Sequence, residues 1–399
     1  MVGGPLSYGF RIWLIGGVLI VYINHAKAEK KMSARLVIGE ETKHCMLKIK
    51  KGGETMKGTF FLGAKVTPKF EVREMKFAPL EPHQVLVENR ACGICGTDVH
   101  IYHGEEGSAE VNPPVVLGHE YSGVVVDIGP EVNGVKVGDH VTIDPNMYCG
   151  HCMPCRMGKK QNCENLFALG VNVNGGFAEY SVCPDTQCFK VSDDLDFDVA
   201  AMAEPLACAI HGIDQAGIVP GQVVLIVGGG AIGLLMVQLA KLSGAATVIL
   251  SEPVEMRRKI GLDVGADAVI DPIQEDISER LKEICGRTGA DVVIECVGKE
   301  FAVEQAIKAA GFGANIMLFS VPSVHATIQL PLFDIYKKEL HIMGSMINPN
   351  THQRAVNLLN SGRLRIKDLI THVYDLEHLE EAIHMQMSSE SIKVVVHPH

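Results

Sequence analysis

At 399 residues the chain has room for about two to three domains, each with a sizeable core of its own. Its formal charge of −11 speaks against nucleic acid and anionic membrane surfaces as partners, because both reward a basic footprint. Twelve cysteines in so long a chain do not make a secreted disulfide scaffold; free thiols and thiolate–zinc sites suit a reducing compartment, and a cytoplasmic location is expected.

The first 55 residues differ in character from the rest. Trp13–Ile23 (WLIGGVLIVYI) is apolar over 11 residues, too short to span a bilayer comfortably. Arg11 before it and Ala26-Lys27-Ala28 after it imitate a signal peptide with its cleavage site. The KKGGET run before Met56 would be encoded by purine-rich codons, as a bacterial ribosome-binding site would be. Residues 1–55 are therefore expected to be a dispensable extension with no domain of their own, in preference to an export signal or a membrane-associated helix. From Met56 the sequence MKGTFFLGAKVTPKFEVREM reads as opening strands. Strand-like alternation with Gly and Pro punctuation recurs at Val115–Gly129.

The segment GICGTDVH brings Cys95, Thr97, Asp98 and His100 close together, LGHEYSG supplies His119 and Glu120, and MAEPLACAIHG supplies Glu204. One thiolate, one imidazole and one or two carboxylates leave a fourth position for water, the ligand pattern of a catalytic zinc. Such a metal acts as a Lewis acid on an alcohol or carbonyl oxygen. Thr97 and His100 are placed to pass a proton from that buried oxygen to solvent, and an imidazole titrates near neutral pH.

Cys149, Cys152, Cys155 and Cys163 follow with the spacing C-x2-C-x2-C-x7-C. Four thiolates so close in sequence can close a tetrahedron around one Zn²⁺, with Gly150 and Gly158 easing the backbone. The intervening residues have no apolar periodicity, so metal binding would supply the folding energy of this loop. A site with four protein ligands is structural. The remaining cysteines (Cys45, Cys92, Cys183, Cys188, Cys208, Cys285 and Cys296) show no paired spacing.

Val223–Val227 is a β-branched and aliphatic run of the kind that forms a buried parallel strand. Gly228, Gly230 and Gly233 then give G-x-G-x-x-G, with Ala231 and Ile232 inside the motif and opening a helix predicted over Ala231–Leu242. A further strand is expected over Thr247–Leu250. Strand, glycine turn and helix in this order let the backbone approach a pyrophosphate at the helix N-terminus. Glu252 stands 24 residues after Gly228, where a carboxylate accepts both ribose hydroxyls of NAD and repels a 2′-phosphate. Arg257 and Arg258 follow and leave room for some NADP use. Further strands are predicted at Ala266–Ile270, Asp291–Gly298 and Ala314–Ser320, and amphipathic helices at Thr351–Gly362 and Asp375–Gln386.

In this order, Cys95, the His119-Glu120 pair, the cysteine tetrad and the Gly228–Gly233 turn resemble the zinc-dependent medium-chain dehydrogenases. The resemblance runs from about Met56 to the C-terminus. GICGTDVH, GHEYSGVV, VGDHV, GGFAEY and AEPLACAIHG are similar to the polyol (sorbitol-type), threonine and butanediol dehydrogenase branch. The resemblance implies an α/β chain with two parts: a GroES-like, mainly-β catalytic domain, and a Rossmann domain built on a doubly wound parallel sheet. The expected boundaries are 56–203 for the catalytic domain with its zinc loop at 149–163, 204–344 for the Rossmann domain, and 345–399 for a return to the catalytic domain. It further implies two zinc ions per subunit, NAD, and hydride transfer from a secondary alcohol to the nicotinamide. Cys95, His119 and Glu120 match the catalytic zinc ligands of sorbitol-like members. Glu204 matches a carboxylate that either contacts the zinc-bound water or moves onto the metal. Gly228, Gly230, Ala231, Ile232, Gly233, Glu252 and Arg257 form the candidate cofactor set.

One departure bears on substrate. Sorbitol-type members carry an Arg-aromatic pair in the segment matching Gly344–Gln353, where this chain has Ile347 and Asn348. A polyol hydroxyl thereby loses a charged donor, so a smaller diol, a pentitol, a sugar acid or threonine stays open. Threonine-specific members usually read Asp-Pro where this chain has Glu204-Pro205, which counts against threonine. The expected partners are a small alcohol or polyol and further copies of the chain, as dimer or tetramer, with no nucleic acid and no membrane. The rival readings are a zinc-free NADPH-binding member of the family and a non-catalytic binding protein; the intact Cys95 set and tetrad oppose both.

Overall fold

A computed structural model describes residues 11–15, 18–22, 55–105 and 110–399. The chain divides into two units, 1–48 and 49–399. In the first, Arg11–Ile15 pairs antiparallel with Val18–Tyr22. The apolar run at Trp13–Ile23 is thus strand, not helix, where it is described. Ala26–Ala28 and the KKGGET run up to Glu54 lie outside the described residues. Among the described residues no helix is long and apolar enough to cross a membrane.

The second unit holds two principal sheets. The mixed sheet runs Cys188–Lys190, His140–Ile143, Glu120–Ile128, Gln84–Gly93, Lys393–His397, Ile370–Asp375, and Tyr180–Pro184 also pairs with Gln84–Gly93. A small three-stranded sheet of Phe70–Lys76, Thr55–Phe61 and Val115–Val116 adjoins it in sequence. Inward-facing Val85, Val87, Tyr121, Val125, Val141, Phe177, Val394 and Val396 form one continuous core. Gln84–Gly93 and Lys393–His397 are buried at nearly every residue, so both faces of these central strands are covered.

The other sheet is parallel and six-stranded, in the order Ala268–Ile270, Thr247–Ser251, Val223–Val227, Ala290–Glu295, Ala310–Leu318, His341–Gly344. Every residue of Val223–Val227 is buried, as befits a parallel strand covered by helices on both faces. The strand order reverses between Val223–Val227 and Ala290–Glu295, which pair in register from Val224↔Val292 to Val227↔Glu295. The carboxyl ends at such a switch point frame the ligand crevice of doubly wound sheets. The strand expected over Asp291–Gly298 stops at Glu295 because the Glu295 carboxylate accepts the N–H groups of Val297 (2.6 Å) and Gly298 (2.9 Å) and turns the chain.

After the parallel sheet the chain forms helix His352–Asn360 and returns to the mixed sheet. Ile370–Asp375 and Lys393–His397 pair in parallel, and Val395 and Val396 register with Gly93 and Cys92. The helix expected over Asp375–Gln386 is a 3-10 turn at Leu376–His378 followed by an α-helix at Leu379–Gln386. This return places Lys393 beside the end of the strand that leads into Cys95.

Candidate active site

Cys95 caps the N-terminus of helix Gly96–His103 in an extended conformation. The Asp98 carboxylate, buried in the first turn, accepts the Cys95 N–H through Oδ2 at 2.9 Å and fixes the thiol at the helix mouth. His119 and Glu120 come from the segment that opens strand Glu120–Ile128, paired with Gln84–Gly93 through Gly93↔Glu120. The sheet thereby converges three ligand atoms, one each from Cys95, His119 and Glu120, to within 4.8 Å of one another.

The fit of a zinc ion rests on the groups around these three. His119 Nδ1 and Asp98 Oδ1 face each other at 3.8 Å, both buried and without a hydrogen-bond partner. That leaves Nε2 for the Cys95 side, the carboxylate–imidazole arrangement that orients a metal-ligating histidine. Burial works against charge on His119, but the Cys95 thiol and Asp98 outweigh it and hold the imidazole well above its usual pKa. Burial likewise raises the Asp98 carboxyl, against the pull of His119. Two anions and an imidazole packed without solvent favour a cation between them.

Glu120 has a second partner. Its Oε2 forms a buried ion pair with the Lys393 ammonium, which also donates to the Ile94 carbonyl at 2.8 Å. Gly93 is required beneath this pair, since a Cβ there would overlap Glu120 Oε2 and lie 2.8 Å from Lys393 Cε. Glu204 is buried in the first turn of helix Ala203–Ala216 but stands outside the convergent trio. Burial raises its pKa to about 7, and its Oε1 accepts the Cys208 thiol at 3.2 Å. Thr97 Oγ1 is 3.8 Å from Cys95 Sγ. His100, on the same helix and partly exposed, pairs through Nδ1 with Glu105 Oε2 at 2.7 Å. That contact holds Glu105 below the usual carboxylate range.

Cys149, Cys152, Cys155 and Cys163 also converge within 4.8 Å, around the short helix Met153–Arg156 and a 3-10 turn at Lys160–Asn162. Zn–S bonds of about 2.3 Å put tetrahedral thiolates about 3.8 Å apart; Cys152 and Cys163 Sγ are 3.9 Å apart. Backbone N–H groups of Cys149, Cys152 and Asn165 point at these sulfurs at 3.4 Å. N–H groups of His151 and Cys152 lower the Cys149 thiol to about 5. The donor set and its spacing fit zinc.

At the switch point Gly228 adopts φ +99°, and a Cβ on Gly233 would overlap the Gly228 carbonyl oxygen. Gly230 caps helix Ala231–Leu242, with Ala231 and Ile232 opening it. Glu252 follows strand Thr247–Ser251; its Oε2 accepts Gly229 N–H at 2.6 Å and its Oε1 accepts Val254 N–H at 2.8 Å. The expected cofactor residue Arg257 is committed elsewhere, donating to the Ser388 and Ser391 carbonyls at 3.0 and 2.7 Å. Arg258 is likewise held by the Glu252 and Pro253 carbonyls and by Asp271.

Sequence reasoning named Asp98 only as part of the Cys95 segment, without a role, and did not single out Glu105, Lys393 or Cys208. Asp98 had a local signal, since an acid three residues after a cap residue closes a capping box. Lys393 had none, being 273 residues from Glu120.

A mixed β domain with a Cys/His/Glu cluster, joined to a parallel sheet with a dinucleotide turn, defines a metal-dependent nicotinamide dehydrogenase. Sequence comparison agrees. Residues 81–193 match the alcohol dehydrogenase GroES-like domain and residues 231–361 match the zinc-binding dehydrogenase family. L-threonine 3-dehydrogenase of Thermococcus kodakarensis is 36% identical over 321 residues, 80% of this chain and 91% of that protein. D-xylulose reductase A of Aspergillus oryzae is 35% identical over 323 residues, 79% of this chain and 90% of that protein. A solved structure from Sinorhizobium meliloti 1021, described as a zinc-binding dehydrogenase bound to NADP, aligns with TM-score 0.82 and 39% identity over 87% of this chain and 100% of that one. The chain belongs to the zinc-dependent medium-chain dehydrogenase family.

Proposed function

We propose that the protein oxidises a secondary alcohol group of a small polyol, sugar alcohol or diol to a ketone, with NAD as hydride acceptor. The observation that carries this reading is the convergence of Cys95, His119 and Glu120 in the unit that also holds the Gly228–Gly233 turn. The proposed division is 56–203 and 345–399 for the catalytic domain and 204–344 for the dinucleotide domain. Two zinc ions per subunit are proposed, one on Cys95, His119 and Glu120, one on the four tetrad cysteines. When bound at the first site, zinc supplies a Lewis acid for the alcohol oxygen.

The chain's own groups do the rest. Asp98 sets the tautomer and orientation of His119. Lys393 holds one oxygen of Glu120 and so limits how far that carboxylate swings. Thr97 and His100 hand the alcohol proton outward, and Glu105 stabilises the imidazolium that forms. Glu204, kept near neutral pKa by burial, is placed to hydrogen-bond a water rather than to serve as a permanent anion. Glu252 occupies the ribose position and favours NAD over NADP.

Zinc-polarised oxidation of L-threonine is a second reading, favoured by the relatives of that name at 36–37% identity. The absence of an arginine at Ile347 or Asn348 counts against sorbitol itself and leaves threonine open. Exposed Phe312 lies in strand Ala310–Leu318, and exposed Leu332, Phe333 and Tyr336 in helix Leu332–Lys338. Large apolar side chains exposed in this region support assembly into a dimer or tetramer. The described cysteines are all free thiols, which supports a cytoplasmic location. The test is an NAD-linked absorbance assay over a panel of diols, pentitols, hexitols, sugar acids and L-threonine, with zinc content measured on the same sample. No turnover of any of these by fully zinc-loaded protein would sink the reading.

A further inference from the structure

Cys183 and Cys188 belong to neither zinc-ligand set, yet their Sγ atoms are 3.3 Å apart. They flank the 3-10 turn Asp185–Gln187. Strand Tyr180–Pro184 is laddered to Gln84–Gly93, and strand Cys188–Lys190 to His140–Ile143. Both cysteine backbones are therefore held in one sheet, so the sulfurs part or approach only by side-chain rotation unless ladder hydrogen bonds break. A disulfide needs its sulfurs about 2.05 Å apart, so the pair can close by side-chain rotation with little backbone movement. Cys183 is buried and Cys188 half-buried, so Cys188 is the sulfur that solvent reaches first. The S–H···S contact with Cys188, followed by burial, holds the Cys183 thiol well above its usual pKa, which makes Cys183 a poor first nucleophile toward an oxidant. Cys183 also lines, with Met147 and Tyr180, a cleft of about 590 Å³.

We propose that Cys183 and Cys188 form a reversible dithiol–disulfide site whose oxidant is hydrogen peroxide. The Cys188 sulfur attacks the O–O bond, becoming a sulfenic acid and releasing one water. The Cys183 sulfur then attacks the Cys188 sulfenyl sulfur, forms the S–S bond and expels a second water. Two thiols lose two hydrogens and two electrons, and one peroxide becomes two waters. The site brackets Gln187, whose Nε2 donates to the Asp144 and Asn146 carbonyls at 2.7 and 2.9 Å and whose carbonyl accepts Asp144 N–H at 2.9 Å. Oxidation therefore acts on the turn that pins the segment entering the cysteine tetrad. The inference is independent of the substrate reading above, because its readout is thiol chemistry.

The experiment treats the zinc-loaded full chain with stoichiometric peroxide, alkylates the remaining thiols and maps them by mass spectrometry, with zinc release followed by a chromogenic chelator. The expected result is joint loss of Cys183 and Cys188 alkylation, retention of zinc, and recovery of both thiols with dithiothreitol. In Cys183→Ser, Cys188 should stop at a sulfenic acid that dimedone traps; in Cys188→Ala, Cys183 should stay alkylatable. Two results would overturn the proposal. One is consumption of the tetrad thiols with zinc release while Cys183 and Cys188 still alkylate. The other is oxidation of Cys183 in Cys188→Ala as fast as in the native chain.

Discussion

Asn348 Oδ1 accepts a hydrogen bond from Asn146 Nδ2 at 2.7 Å, across 202 residues of chain and wholly out of solvent. The Asn348 amide also reaches Asp144 Oδ1 at 3.3 Å and His352 Nδ1 at 3.4 Å. Ile347 beside it takes φ +46°, a left-handed conformation that a β-branched residue adopts only at a cost. The position where sorbitol-type relatives carry an aromatic residue is thus spent on tying the exit of the parallel sheet to the segment before the tetrad. Asn348→Ala should leave the Asn146 amide and the Asp144 carboxylate short of partners and lower stability by about 1–3 kcal/mol, read as a fall in thermal midpoint. An unchanged midpoint would mean that water replaces the amide without loss.

The same knot makes a pH prediction. Burial raises Asp144 from 3.8 to about 6, with Lys160 and the amides of Asn146 and Asn348 pulling the other way and Glu204 and Cys208 facing it as acids. The folded state therefore holds this proton more tightly than the unfolded chain. Stability from Asp144 is fully present below about pH 4 and is lost as pH rises toward 6. Asp144→Asn should consequently gain stability over the native chain between those values and keep the gain at pH 8. The ceiling is roughly 3 kcal/mol for a shift of about two units. Denaturant midpoints of the two proteins at pH 5 and pH 8 check it; a gap that narrows at the higher pH would reverse the sign argued here.

The two cysteine sets should fail differently. Cys152→Ser removes one of four ligands from a loop with little core besides its own sulfurs, Tyr148 and Leu166. It should lose one zinc and much of its solubility or stability. Cys95→Ser should keep the fold and the tetrad zinc and abolish turnover. Elemental analysis gives the decisive number: fully active native protein with only one zinc per subunit would collapse this division.

How much of this was legible in the sequence follows from where the signals lie. Val223–Val227, Gly228–Gly233 and Ala231–Leu242 sit where local pattern placed them, because a buried strand, a glycine turn and a helix each carry their own periodicity. The tetrad was legible from spacing alone, since its ligands fall within one loop. Asp98 was legible as a neighbour of Cys95 but not as the partner of His119, and Lys393 not at all, because those roles depend on His119 and Glu120 being folded against them. Cys183 and Cys188 looked scattered; only the two ladders that flank them bring the sulfurs together. Arg257 shows the converse, an expected cofactor residue whose Nη2 the C-terminal return already engages.

That commitment changes the expected outcome at Glu252. Removing the carboxylate in Glu252→Ser takes away the acceptor for the ribose hydroxyls and the repulsion toward a 2′-phosphate. Arg257 is already bonded to carbonyls through Nη2, and Arg258 to carbonyls and Asp271 through Nη1, so both guanidiniums are partly tied down before any phosphate arrives. The ratio of kcat/KM for NADP over NAD should rise, mainly because NAD use falls. A native protein with higher kcat/KM for NADP than for NAD would show that Glu252 does not read the ribose.

Asp98 offers the sharpest test of the catalytic cluster because it touches neither substrate nor cofactor. Its Oδ2 holds the Cys95 N–H and its Oδ1 faces His119 Nδ1. Asp98→Asn keeps the shape and the acceptor for Cys95 but removes the charge that orients the imidazole and raises its basicity. Loss of such a partner typically weakens metal affinity about 10–100-fold. Competition with a calibrated chelator should show this loss at one zinc per subunit, while the tetrad zinc stays put. Asp98→Glu keeps the charge but moves it by a methylene into a fully buried space, so it should recover little. If Asp98→Asn instead holds both zincs as tightly as the native chain, Asp98 serves only to cap the helix, and the orientation of His119 must come from the sheet alone.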